Sequence, residues 1–144
     1  MTSTATGHLP NAGTTTGKAL NVTLWFVQAL LALVFLGAGS GKLMGTPDTV
    51  ALFAAVGIGQ WFRYVTGILE ITGAVLIVVP KTRSIGAALL VPIMLGATTA
   101  NIALDTTPIP PLVLLLLSTF VVWGRRRELA QFIPASAARL PKEQ

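Results

Sequence analysis

The sequence predicts an all-α protein: a polytopic membrane four-helix bundle with a short interfacial or re-entrant helix between its first two spans. Three observations carry this. Four long stretches are almost free of charge, basic residues gather on one side of them, and 53% of the 144 residues are hydrophobic against 10% charged. About 20 helical residues at ~1.5 Å rise cover the ~30 Å hydrocarbon core of a bilayer. The chain has no charge between Lys18 and Lys42, only Glu70 from Tyr64 to Pro80, none from Ser84 to Leu104, and none from Thr106 to Gly124. The spans are therefore expected at residues 20–41, 61–80, 84–104 and 107–124. Helices of a soluble bundle would keep a polar outer face, whereas these are apolar nearly all round.

Orientation follows from the basic residues. With four spans both termini share one side, which holds Lys18, Lys81, Arg83, Arg125, Arg126, Arg127, Arg139 and Lys142, while the other holds Lys42 and Arg63. Eight against two is a strong positive-inside asymmetry, so a multi-pass cell-membrane protein with both termini cytoplasmic is expected. The net charge of +5 is then a topology signal; without aromatics interleaved on a basic face it does not indicate nucleic acid. Trp25 and Trp123 stand near span ends on that same side, where indoles anchor at headgroups.

Residues 1–18, rich in Thr and Gly, lack the apolar content to fold and are expected to form a disordered cytoplasmic tail. They do not read as a signal peptide, because the basic n-region is missing. Residues 125–144 are expected as a basic cytoplasmic tail whose arginines meet anionic headgroups until Pro134 interrupts. Between the first two spans, Thr46, Pro47 and Asp48 read as an N-cap, a first-turn proline and a first-turn acid. A helix from Pro47 to about Val56 would be roughly 15 Å long and end at Gly57 and Gly59. It is either an interfacial connector or a lid over a cavity.

The chain has no Cys, and its one His, His8, lies in the tail, so neither a thiolate-held cluster nor a His-rich metal site can be built from it. The polar residues inside the spans are the candidates for function, because a charge near the bilayer centre costs at least ~2.5 kcal/mol. Glu70 is the deepest, roughly 9 Å inside the outer boundary by helical rise. It shares a face with Arg63, Thr66, Gly67, Gly73 and Ala74. Gln28, Ala32, Phe35, Gly39 and Lys42 form a matching stripe on the first span, and Met94, Ala97, Thr98, Asn101 and Asp105 on the third, which Pro92 is placed to kink. Lys42, Arg63, Glu70, Asn101 and Asp105 thus converge in the outer half. Either Glu70 pairs with Lys42 or Arg63 and the network fixes the packing, or the same groups line an outward-opening pocket.

The runs FVQALLALVFLGAGSGKL, TGILEITGAVLIVVP and PIMLGATTANIALDTTPIPPLVLLLL resemble the DoxX-like family of small four-span membrane proteins over about Leu24 to Gly124. The Gly-x-x-Lys-Leu ending, the Glu followed by small residues and the Met-Leu-Gly-Ala segment carry the likeness. The family pattern usually has a His where this chain has Asn101, which tells against a proton-shuttle or metal role there. The resemblance implies a four-helix bundle, with relatives among subunits of quinone-linked oxidoreductases, oxidative-stress complexes and membrane chaperones. Three functions are therefore weighed. In the first, the chain is a membrane subunit that binds a quinone or isoprenoid-type ligand and supports a soluble or membrane oxidoreductase. Glu70 and Asn101 would bond the headgroup, Lys42 and Arg63 set its potential, and Tyr64 or Trp61 stack on its ring. The second is a stand-alone enzyme with Glu70 as general acid or base, supported by Asp105 or Asn101, acting on a lipid-like or terpenoid substrate. The third is a chaperone or scaffold with no small-molecule site. Besides the bilayer, self-association into a homo-oligomer is compatible with the small-residue stripes.

Overall fold

A computed structural model describes residues 13–132, all of whose regular elements are helical. In chain order they are α1 (Gly13–Met44), α2 (Pro47–Val56), α3 (Gln60–Val78), α4 (Arg83–Ala103), α5 (Ile109–Gly124) and α6 (Arg126–Leu129), followed by a 3₁₀ turn, Ala130–Phe132. His8, the first twelve tail residues and the segment from residue 133 onward, with Pro134, lie outside the described residues. α1 begins at Gly13 rather than near residue 20, so part of the expected tail is helical. Once a long helix is nucleated, each added residue gains a hydrogen bond.

The boundaries follow local chemistry. Gly45 and Thr46 both donate their backbone N–H to the Gly41 carbonyl at 3.1 Å, and Gly45 takes a φ of 71° that ends α1. Pro47 opens α2, Asp48 lies in its first turn, and Gly57, with φ 80°, closes it through a 3.2 Å bond to the Ala54 carbonyl. α1, α3 and α4 are long and apolar enough to cross a membrane, whereas α5, at 16 residues, is shorter. Their outer faces expose Val22, Phe26, Leu33 and Leu116, as a surface in contact with lipid requires.

α1 packs along α3, α3 along α4 and α4 along α5, while α5 touches α1 less extensively. Small residues set the close approaches. A Cβ on Gly39 of α1 would stand 2.8 Å from the Gly67 carbonyl oxygen of α3, and one on Gly86 of α4 would stand 2.5 Å from the Ile77 backbone nitrogen. Leu31, Phe35, Ile77, Leu90 and Val121 fill the space between.

Polar bonds tie the end of the bundle that carries Arg83 and Arg125, the basic end. Gln28, fully buried on α1, donates from Nε2 to the Ile77 carbonyl at 3.1 Å and accepts from Arg125 Nη2 at 3.3 Å. Arg83 holds Glu128 through Nε and Nη2 at 2.7 and 2.5 Å, and Arg125 Nη1 reaches the same carboxylate at 3.4 Å. Leu24 packs on Gly124 beside them.

Gly86→Val should lower unfolding free energy in detergent by about 1–3 kcal/mol, because backbone atoms cannot yield, while Gly96→Ala, with open space around it, should be neutral. Hydrogen bonding from Arg83 holds the Glu128 carboxyl below its ordinary value, despite partial burial. Its contribution is present above the unfolded carboxylate pKa of about 4.3 and lost as pH falls through the depressed folded value. Melting temperature followed down through that window should therefore drop, and Glu128→Gln should shrink the drop while lowering stability at neutral pH.

Candidate functional site

At the end of the bundle opposite the basic end the helices part around a cavity of about 970 Å³. Phe35 of α1, Phe62 of α3, Met94 of α4 and Leu114 of α5 supply apolar walls, and α2 adds Leu52, Phe53 and Val56. Phe53 is the buried residue of α2 and meets Phe62 edge-on, with ring centroids 6.0 Å apart. Pro92, Leu95 and Thr99 belong both to the wall and to the exposed flank of α4, so the cavity opens sideways through the apolar surface.

One ion pair is sunk into this wall. Glu70 is 1% exposed, and both its carboxylate oxygens accept from Lys42 Nζ, at 2.8 and 3.0 Å. Gly39 and Gly67 let α1 and α3 approach, and because the two helices run in opposite directions Lys42 lies opposite Gly67 and Glu70 opposite Gly39, so the long lysine side chain reaches back along the seam to the carboxylate. Pairing removes the net charge that would make a lone carboxylate intolerable at this depth.

Arg63 has a different role from the one expected of it. It is 4% exposed, but its Nη1 donates to the backbone carbonyl of Lys42 and its Nε to Gln60 Oε1 at 2.9 Å, with the guanidinium 4.3 Å above the Tyr64 ring. The cation thus caps the carbonyl end of α1, where the helix dipole favours positive charge, and it does not line the cavity. A Cβ on Gly45 would stand 3.2 Å from Nη1, so the glycine leaves room for this cap.

Of the expected site residues the cavity gathers Lys42, Glu70 and Asn101. Tyr64 is exposed, and Trp61, also exposed, donates to the Ile58 carbonyl at 3.0 Å; neither lines the cavity. Asp105 lies outside it too. α4 ends at Ala103, so the helical period that would have carried Asp105 inward stops short, and the residue turns into the loop with φ 54°. Phe53, Phe62, Pro110, Pro111 and Leu114 line the cavity without having been singled out from sequence. Apolar wall residues look like any other membrane-helix residues; the clue was the lid reading of α2, whose Phe is its bulkiest side chain.

The hydrogen-bond inventory limits the chemistry. Thr66 and Thr99 spend their hydroxyl hydrogens on the Phe62 and Leu95 carbonyls, at 2.6 and 2.9 Å. Asn101 donates one amide hydrogen to the Ala97 carbonyl at 2.8 Å and accepts from Thr106 Oγ1 at 2.7 Å. An ammonium has three donors and an amide two, so one hydrogen on Lys42 and one on Asn101 remain uncommitted. Among the described residues no group of three His, Cys, Asp or Glu side chains is placed to hold a metal ion.

These features define a small all-helical membrane protein with a side-opening apolar cavity and one buried ion pair. The chain belongs to the DoxX-like family, whose sequence profile matches residues 26–121. No curated protein and no solved structure matches it.

Because the ion pair is coupled, Glu70→Leu and Lys42→Met should each strand a buried charge and destabilise by about 3–5 kcal/mol. Lys42→Met combined with Glu70→Leu should recover most of that loss in equilibrium unfolding. Additive single effects would show that the two groups do not interact.

Proposed function

We propose that the chain binds a quinone or similar isoprenoid-type ligand in the side-opening cavity and serves as the membrane subunit of an oxidoreductase. The observation that carries this is the mismatch between an apolar cavity wall and two spare hydrogen-bond donors. Such a site suits a ligand with an apolar tail and acceptor atoms at its head. A quinone ring offers two carbonyl acceptors and no donor, which matches the hydrogens left on Lys42 and Asn101. Glu70 then acts through Lys42, holding the ammonium in place, and does not itself bond the ligand. Both its oxygens are occupied by Lys42, which argues against Glu70 as the general acid of a stand-alone enzyme.

The chain has no Cys and one His, so electrons passing beyond a bound quinone would need a redox group on a partner protein. We place the protein in the cell membrane as a four-span chain with both termini cytoplasmic. The eight-to-two distribution of Lys and Arg supports this orientation. α5, about 24 Å long by helical rise, would span by local thinning of the bilayer around it. The sideways mouth suits a ligand dissolved in the membrane, which would enter without crossing water.

The test is equilibrium titration of the purified chain in lipid nanodiscs with a short-tailed quinone. Saturable binding is expected, weakened about 5- to 10-fold by the paired Lys42→Met/Glu70→Leu change, which keeps the fold, or by Asn101→Leu, the loss of roughly one hydrogen bond each. Absence of saturation, or unchanged affinity in both variants, would overturn the proposal and leave the scaffold role as the better reading.

A further inference from the structure

A second cleft, of about 570 Å³, lies at the basic end, far from the ligand cavity along α3 and α4. Lys81, Thr82 and Arg83 of the α3–α4 turn face Glu128 and Gln131 across it. Among the described residues at this end the charge is unbalanced: Lys81, Arg83, Arg125, Arg126 and Arg127 stand against one carboxylate, Glu128. That carboxylate is already engaged, accepting from Arg83 at 2.7 and 2.5 Å and from Arg125 at 3.4 Å. Its binding to Arg83 fixes the guanidinium in the cleft wall without cancelling the surplus. Lys81 is exposed and forms no ion pair among the described residues.

The cleft also has a definite height. α3 ends at Val78 and α4 begins at Arg83, so the turn marks where two apolar helices leave hydrocarbon. Two indoles mark the same level: Arg83 lies 5.7 Å from the Trp25 ring centre and Arg126 5.2 Å from that of Trp123. Cation-bearing aromatics at a span end are the pattern of the headgroup layer. Just before Lys81 in the chain, Val78 and Val79 are 44% and 42% exposed, and the exposed Pro80 that follows them lines the cleft. Exposed apolar residues at the end of α3 therefore lead up to the cationic cleft.

We infer that this cleft is a binding site for the phosphate of an anionic phospholipid, with the acyl chains lying along Val78 and Val79. The Lys81 ammonium, the Arg83 Nη1 edge and the Gln131 amide would face the phosphate oxygens. An acidic protein segment would satisfy the cations but leave the valines without a partner, and a soluble phosphate would do the same. A lipid fulfils both requirements at the depth where the cleft lies.

The test measures lipid retained by the purified full chain, by native mass spectrometry, with phosphatidylglycerol and phosphatidylcholine of identical acyl chains. Phosphatidylglycerol should be retained about five-fold over phosphatidylcholine, a preference that falls with salt and largely disappears in Lys81→Gln. Arg127→Gln, which removes an exposed charge outside the cleft, should keep it. Equal retention of the two lipids, or equal losses in both variants, would mean diffuse surface attraction and overturn the site. Glycerol phosphate alone displacing the retained lipid at equal concentration would point to a soluble phosphate and overturn the lipid assignment.

Discussion

Everything at the cavity end depends on the Lys42–Glu70 ion pair. A carboxylate 1% exposed in a helical membrane protein is tolerable only if another group neutralises and hydrogen-bonds it. Lys42 does both, from the last turn of the neighbouring helix. The pair joins α1 to α3 where they are closest and places an ammonium at the cavity wall. Remove the carboxylate and Lys42 has no reason to point inward. The cavity would then lose the more strongly polarising of its two spare donors.

The neighbouring cation shows why this choice of partner is specific. Arg63 is as buried as many core residues, yet its guanidinium is bound to the carbonyl end of α1 and to Gln60. Its Nη1 and Nε are used on a backbone carbonyl and an amide oxygen, and Glu70 is left to Lys42. The planar fork of an arginine suits carbonyl capping, while the single-point ammonium fits between two carboxylate oxygens. Two cations that look interchangeable in sequence therefore divide into a structural cap and a member of the site.

Much of this was legible from residue spacing, and the failures have identifiable causes. The buried stripe of α3, with Arg63, Gly67, Glu70, Gly73 and Ala74, and that of α1, with Gln28, Ala32, Phe35 and Gly39, follow the helical period because small residues must face neighbouring helices. The bounds of α2 followed from its proline start and glycine stop. Asp105 was misplaced because the period was carried past the end of α4. Tyr64 and Trp61 were misplaced because an aromatic near a polar cluster looks like a stacking residue, whereas here both are exposed beside the cap. The Gln28–Arg125–Glu128–Arg83 clasp was not visible at all. It joins residues up to 97 positions apart, and in sequence its arginines count only toward orientation.

The two ends of the bundle divide the work. At the basic end Gln28, Arg125, Glu128 and Arg83 link α1, α3, α4, α5 and α6 through side chains that are largely withdrawn from solvent. At the opposite end α1 and α3 stay together through Gly39, Gly67 and the ion pair, but the prolines Pro92, Pro110 and Pro111 line the space that separates them from α4 and α5. Pro92, inside α4, has no N–H to give the Ala88 carbonyl and so breaks the ladder at the wall, whereas Pro110 and Pro111 stand in the first turn of α5, where that bond is not due. A bundle fastened at one end can part at the other without losing its core, which continues through Leu31, Ile77 and Leu90. The clasp therefore lets a 144-residue chain keep a large opening in its side.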